Sequence, residues 1–142
     1  MNDPALLDIP TNPEPIGIED FLEAYIECAL WTSTDDQDIP MDRDHSAEDI
    51  APEALRSMRE DCVAFLAAMA DGVDSVDSDV SQEITNTGRA GHDFWLTRNG
   101  HGAGFWDGDW PEPAATRLTD ASHGFGESYL YIGDDKLIHV SP

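Results

Sequence analysis

The chain has very few basic residues. Among its 142 residues, 7 are Lys or Arg and 30 are Asp or Glu, which gives a formal net charge of −23 and a pI near 4.1. Proteins that bind nucleic acids contact the phosphates through clustered Lys and Arg, and anionic membrane surfaces attract the same side chains. The composition therefore argues against direct binding to DNA, to RNA or to an anionic membrane.

Long apolar runs and a basic leader are also missing. No stretch approaches the roughly 18 consecutive apolar residues that a membrane span needs. The opening sequence, MNDPALLDIP, has neither a basic part nor a long apolar part. Hydrophobic residues still make up 40% of the chain, which is enough to form a core. We therefore expect one soluble, cytoplasmic domain.

Cysteine is scarce, since the chain holds only Cys28 and Cys62. No CxxC pair is present, which excludes a zinc site built from cysteines. Both residues fall on or beside the apolar stripe of a predicted helix, where cysteine usually behaves as a small hydrophobic residue. We expect both thiols to be reduced, and we expect no bound metal or cofactor.

The acidic residues are concentrated in the first part of the chain. Residues 1–83 contain 22 acidic and 3 basic residues, a net charge of −19, whereas residues 84–142 have a net charge of −4. Repulsion at this density destabilises a compact fold. The asymmetry favours a surface that attracts a strongly positive partner. Adaptation to high salt is the alternative, and the presence of a single lysine fits it.

Prolines and composition divide the chain into a terminal segment and one domain. Four prolines within residues 1–17 predict that this segment is extended or disordered. Residues 18–142 are expected to form a single domain. Its acidic helical part covers residues 18–83 and its aromatic hairpin part covers residues 84–142.

Helical spacing of apolar residues predicts three helices in this domain. The first covers about residues 18–31. The second begins near Pro52, which suits the first helical position, and ends before Gly72. A short third helix covers about residues 114–122.

The C-terminal part predicts β-structure, because short aromatic runs alternate with glycines. The Asn99-Gly100 pair is typical of a two-residue hairpin turn. A hairpin centred there places Phe94 opposite Phe105 on one face, with Trp95 and Trp106 on the other face.

A second hairpin is predicted from residues 129–132 and 137–140, around the turn Gly133-Asp134-Asp135. Together these elements predict an α+β fold. Its antiparallel sheet would contain about four short strands in two hairpins, covered by two longer helices and one short helix.

Two motifs in this part resemble a known group of proteins. The run GHDFWLTRNGHGAGFWD covers residues 91–107, and YLYIGDD covers residues 129–135. They resemble a family of small proteins encoded by bacteriophages and plasmids, and the resemblance covers about residues 88–140. It implies a phage or mobile-element origin, and it implies no particular activity.

The acidic surface is the main candidate binding site. Glu19, Glu23 and Glu27 follow one another at four-residue intervals, which places neighbouring carboxylates ~6 Å apart, a spacing of the same order as that of successive backbone phosphates. No Lys or Arg lies between Met1 and Met41 to neutralise them. The predicted partner-binding residues are Glu19, Glu23, Glu27, Asp35, Asp36, Asp38, Asp42, Asp44, Asp74, Asp77 and Asp79.

This surface predicts a non-enzymatic, DNA-mimic-like inhibitor from a phage or mobile element, of the anti-CRISPR or anti-restriction type. It would act in the host cytoplasm by occupying the basic nucleic-acid groove of a host defence protein, such as a defence nuclease or a CRISPR effector. Trp95 and Trp106 either belong to the core or, on an open face, provide aromatic contacts to that partner.

Two other functions stay open at this point. The first is a small metal-dependent enzyme centred on the first predicted hairpin, in which His92 pairs with Asp107 and Asp93 adds a polar group. The second is a phage accessory or halophilic protein without a charge-specific partner. Metal content would identify the first, and a need for molar salt during folding would identify the halophilic protein.

Overall fold

A computed structural model describes residues 14–73, 86–106 and 110–141. These residues form mainly helical structure with one two-stranded antiparallel sheet. No helix in the described ranges is long and apolar enough to cross a membrane. The elements are α1 (Ile18–Thr32), α2 (Met41–Asp44), α3 (Pro52–Val73), α4 (Asn86–Arg98), α5 (Ala114–Gly124), β1 (Tyr129–Ile132) and β2 (Ile138–Ser141).

Three of these helices lie where the apolar spacing placed them. Helix α1 begins at Ile18 and ends one residue beyond the predicted segment, α3 begins at Pro52, and α5 begins at Ala114. Along α1, Phe21, Tyr25 and Ala29 are buried at intervals of four residues, while the acidic residues between them face solvent. The apolar stripe therefore determines which face of α1 enters the core.

The first predicted hairpin is wrong, because residues 86–98 form helix α4. Phe94 and Trp95 are buried side by side on this helix, together with Ala90 one turn earlier and Arg98 one turn later. These positions follow the helical interval, but all residues from Asp93 to Arg98 are buried, so α4 has no single apolar stripe. The aromatic alternation predicts a strand locally, and packing around the segment, above all against α1, overrides it.

The Asn99-Gly100 pair terminates α4 and does not connect two strands. Gly100 has a φ of 69°, the left-handed conformation that glycine adopts without strain. Its N–H donates to the carbonyl of Thr97, and the N–H of His101 donates to the carbonyl of Leu96. These two hydrogen bonds are those of a Schellman motif, in which glycine follows the helix end. The same dipeptide that favours a hairpin turn thus caps a helix.

The predicted four-stranded sheet is therefore also wrong, and only the second hairpin is present in the described residues. Strands β1 and β2 pair with Tyr129 opposite Ser141 and Ile132 opposite Ile138. The second strand begins one residue later than predicted. The N–H of Ala51 donates to the carbonyl of Ile138 at 2.9 Å, which joins the hairpin to the start of α3.

The core lies where α1, α3 and α4 meet. Phe65 of α3 and Phe94 of α4 stack with ring centroids 4.2 Å apart, and Phe21 of α1 packs against both rings. The most extensive packing between helices is that of α1 against α4. At its closest point, a Cβ added to Gly91 would lie 2.1 Å from the carbonyl oxygen of Phe21, so only glycine fits there.

The predicted Pro-rich segment falls mostly outside the described residues, which begin at Glu14. The Glu14 carboxylate accepts two hydrogen bonds from Arg59 of α3, at 2.7 and 3.1 Å. Gly17, with a φ of 86°, then starts helix α1. The end of the segment is thus attached to the helical domain.

Candidate functional site

A groove of about 780 Å³ lies along the exposed side of α1. We call it the acidic groove. Residues of α1 form one side, residues from the α2 region form the other, and His92 of α4 contributes at one end. The lining residues are Glu19, Leu22, Glu23, Ile26, Glu27, Leu30, Trp31, Asp42, His45, Ser46, Ala47 and His92.

The base of the acidic groove is apolar. Leu22, Ile26 and Leu30 repeat at four-residue intervals along α1, and each is buried. Trp31 follows directly and is 60% exposed, which is unusual for so large an apolar side chain. The apolar surface that the groove offers to a ligand is therefore chiefly the ring of Trp31.

The rim brings together four of the predicted partner-binding residues. Glu19, Glu23 and Glu27 lie along α1, and Asp42 faces them from α2. All four are exposed. Within the part of the chain that the structure describes, Glu23, Glu27 and Asp42 make no ion pair or hydrogen bond through their side chains. Their charges are thus available to a ligand.

Glu19 differs from the other rim carboxylates, because it is paired with Arg59. Arg59 Nη2 lies 2.7 Å from Glu19 Oε2 and 2.7 Å from Glu14 Oε1, so one guanidinium binds two carboxylates. The hydrogen bond from Arg59, reinforced by its charge, lowers the pKa of Glu19 below its usual value. A basic residue distant in sequence thus neutralises part of the row, although none precedes Met41.

His92 lies at the end of the groove beside Trp31. The two rings stack with centroids 6.2 Å apart and planes 30° from parallel. Burial lowers the pKa of His92 below its usual value, while the Glu27 carboxylate opposes this effect. Burial therefore favours the neutral imidazole, which leaves the charge of Glu27 uncompensated.

Four other predicted acidic residues that the structure describes do not line the groove. The Asp35 carboxylate accepts hydrogen bonds from the N–H groups of Gln37 and Ile39, so it stabilises a turn. Asp36 and Asp38 are exposed in that turn, and Asp44 lies 4.0 Å from Arg43. The remaining three lie outside the described residues, namely Asp74, Asp77 and Asp79.

Several polar side chains of the run over residues 91–107 make contacts inside the fold. Asp93 accepts a hydrogen bond from the indole of Trp110 at 2.7 Å, and Thr97 accepts one from the N–H of Phe105. Asn99 joins α4 to the start of the β-hairpin, because its side-chain oxygen accepts from the N–H of Ser128. These polar side chains are used in internal contacts.

Trp95 and Trp106, the two predicted aromatic contacts, have different environments. Trp95 is buried in the core, and its indole donates to the hydroxyl of Thr32 at 2.7 Å. Trp106 is 53% exposed and does not line the acidic groove. The tryptophan that does line it is Trp31, which the sequence interpretation did not select. Its position at the end of the charged row, one residue after the buried Leu30, was the available signal.

The hairpin on which the metal-dependent alternative is centred is not formed, because residues 86–98 are helical. His92 and Asp93 are neighbours on helix α4, where His92 faces the groove and Asp93 is turned into the core. Asp107, the predicted partner of His92, lies outside the described residues. Across residues 14–73, 86–106 and 110–141, no group of three or more His, Cys, Asp and Glu side chains is arranged to hold a metal ion.

Sequence reasoning also missed a buried arginine. Arg98 is 5% exposed, and its guanidinium donates to the Asp61 carboxylate at 2.9 Å and to the Tyr25 hydroxyl at 3.0 Å. It also donates to the carbonyls of Phe125 and Gly126. Its place on the same helical face as Phe94 was the signal in the sequence. A charged group with this many internal partners is structural in character.

Comparison of the chain with protein families, with curated proteins and with solved structures gave no match. The resemblance to small phage and plasmid proteins therefore rests on the two motifs alone and stays a prediction. The functional proposal is therefore based on the acidic groove.

Proposed function

We propose that the protein is a non-enzymatic inhibitor that presents a DNA-like acidic surface to the basic nucleic-acid groove of another protein. The observation that carries this proposal is the rim of the acidic groove, where Glu23, Glu27 and Asp42 have no internal partner in the described part of the chain. Exposed like charges at this spacing destabilise a helix and give the fold nothing in return. A binding role accounts for their presence.

The spacing and density of the charges support mimicry of a nucleic acid. Carboxylates ~6 Å apart along one helix face offer a basic groove a regular row of negative groups. The net charge of −23 attracts such a groove over a long range and accelerates encounter. Binding of this kind weakens as salt screens the charges.

The biological setting of the proposal comes from the motifs over residues 91–107 and 129–135. Their resemblance to small phage and plasmid proteins supports a mobile-element origin. A protein from such an element gains from blocking host defence, so the partner we propose is a defence nuclease, a CRISPR effector or a restriction complex. In each of these partners, the surface that binds DNA is basic.

The test is affinity capture from a host lysate with three immobilised proteins. They are the wild type, a Glu23→Lys/Glu27→Lys variant and a control variant, Glu60→Lys/Asp120→Lys, which makes the same charge change at exposed helical positions outside the groove. We expect the wild type and the control to retain a DNA-binding protein at low salt. The groove variant should lose it, and duplex DNA should compete with the wild type for it.

Two results would overturn the proposal. If the groove variant and the control retain the same proteins, the rim of α1 does not form the contact. If the captured protein binds DNA equally well with and without the inhibitor, the surface does not act as a DNA mimic.

A further inference from the structure

We propose, building on the proposed function, that the acidic groove binds an arginine-bearing amphipathic segment of its partner. The guanidinium would lie over the Trp31 indole between the rim carboxylates, and apolar side chains of the segment would cover the base. The occupant is thus a cationic and apolar stretch of protein chain, which is more specific than a basic surface in general.

The first argument for this occupant is the apolar character of the groove. A row of carboxylates is sufficient to attract a basic surface, and it needs no apolar surface beneath it. Here Leu22, Ile26 and Leu30 line the same groove as Glu23, Glu27 and Asp42, and the exposed Trp31 ring adjoins this apolar row. The three aliphatic side chains are 5–7% exposed, so the apolar surface left to cover is mainly that of Trp31. A ligand that covers this ring gains hydrophobic free energy only if it is itself partly apolar.

The second argument for this occupant is the exposed ring of Trp31. Its ring is 60% exposed and is supported from one side by stacking on His92, 6.2 Å away. A cation over an indole ring is attracted by its π-electrons, and tryptophan is the most effective aromatic partner. Arginine suits this place better than lysine, because its planar guanidinium stacks on the ring and donates to carboxylates at the same time.

Charge complementarity excludes the chain itself as the occupant. All 7 basic residues lie within the described ranges, so residues 1–13, 74–85 and 107–109 contain no Lys or Arg. None of these segments offers the cation that the rim requires. A second copy of the chain, with its net charge of −23, would be repelled. The occupant must therefore come from a different, cationic protein.

The test uses synthetic peptides as probes, with binding measured by calorimetry. The first peptide spaces arginine and leucine with a helical period. The second has the same composition in scrambled order, and the third replaces each arginine by lysine. We expect the first peptide to bind the wild type about tenfold more tightly than either of the others, a difference of about 1.4 kcal/mol.

Variants of the protein locate the contact. Trp31→Ala should reduce the affinity for the patterned arginine peptide to that of its lysine counterpart, whereas Trp31→Phe should retain part of the preference. Glu23→Gln/Glu27→Gln should weaken binding of all three peptides, and the matched control Glu60→Gln/Asp120→Gln should leave it nearly unchanged. Trp31 is largely exposed, so its substitution leaves the core intact. A urea titration of each variant verifies this.

The outcomes separate this inference from the proposed function. Equal affinity for the patterned and scrambled peptides, or no effect of Trp31→Ala, would overturn the inference even if lysate capture succeeds. The partner would then be held by charge alone. Selective binding of the patterned peptide, combined with capture of no DNA-binding protein, would support the inference and overturn the proposed function.

Discussion

The guanidinium of Arg98 connects parts of the chain that are far apart in sequence. It binds Tyr25 of α1, Asp61 of α3 and the carbonyls that follow α5. It also lies over the Phe94 ring, with Cζ 5.4 Å from the centroid. The guanidinium donates four hydrogen bonds, which offset the cost of burying its charge.

We predict that Arg98→Met is strongly destabilising. Removal of the cation leaves the buried Tyr25 hydroxyl and the carbonyls of Phe125 and Gly126 without their donor, which costs about 1–3 kcal/mol, whereas the Asp61 carboxylate is 37% exposed and is solvated by water. The measurement is the free energy of unfolding from urea titration. Arg117→Met is the control, because Arg117 is exposed on α5. Similar values for the two variants would contradict the structural role of Arg98.

Helix α4 can approach α1 closely because of Gly91. The backbone of α1 at Phe21 fills the space that a side chain would need. This contact brings the Phe94 ring into the aromatic core and sets His92 at the end of the groove. The distance between the two helices therefore affects both the core and the candidate site.

We predict that Gly91→Ala lowers the free energy of unfolding by at least about 1–3 kcal/mol, because the added methyl group forces the helices apart. Gly124→Ala provides the comparison. A Cβ at Gly124 meets no atom within 4 Å, so alanine there should be neutral or slightly stabilising in the helix. Urea titration of both variants gives the answer, and unchanged stability of Gly91→Ala would show that the contact is not tight.

The sequence correctly predicted those elements for which all local patterns indicate the same secondary structure. Helices α1, α3 and α5 carry an apolar stripe, and the second hairpin has strand residues on both sides of a Gly-Asp-Asp turn. Helix α4 was missed, since its aromatic residues are typical of strands and its glycines are unfavourable inside a helix. Its helical conformation depends on packing against α1, which local patterns do not report.

The candidate site could be predicted in part for the same reason. The row Glu19, Glu23 and Glu27 follows from the period of α1 alone. The approach of Asp42 from α2, and the pairing of Glu19 with Arg59, depend on contacts between distant parts of the chain. Spacing along one helix predicts which residues share a face, and it does not predict what the rest of the chain places opposite them.

Charge acts on the molecule as a whole. A net charge of −23 on 142 residues creates repulsion that compaction increases. The ion pairs of Arg59 and Arg98 reduce the repulsion between carboxylates at two positions. The repulsion persists along the rim of the acidic groove. The remaining repulsion is therefore a cost that burial of the core must offset.

We predict that added salt stabilises the protein. An increase from about 0.01 M to about 1 M NaCl shortens the Debye length from about 30 Å to about 3 Å and screens the repulsion. The urea midpoint should rise accordingly, and Glu23→Gln/Glu27→Gln should reduce this rise more than Glu60→Gln/Asp120→Gln does. An equal rise in both variants would show that repulsion is not concentrated at the groove. Failure to fold at low salt would instead favour a halophilic protein.

Helix α1 contains exposed residues that evolution can replace and buried residues that the fold requires. Leu22, Ile26 and Leu30 belong to the buried interior as well as to the base of the groove, so their replacement disturbs folding. Glu23 and Glu27 are exposed and make no ion pair or hydrogen bond through their side chains in the described part of the chain. Under the proposed function, selection by a new host would exchange the rim while the interior is retained, and the range of targets would diverge faster than the architecture.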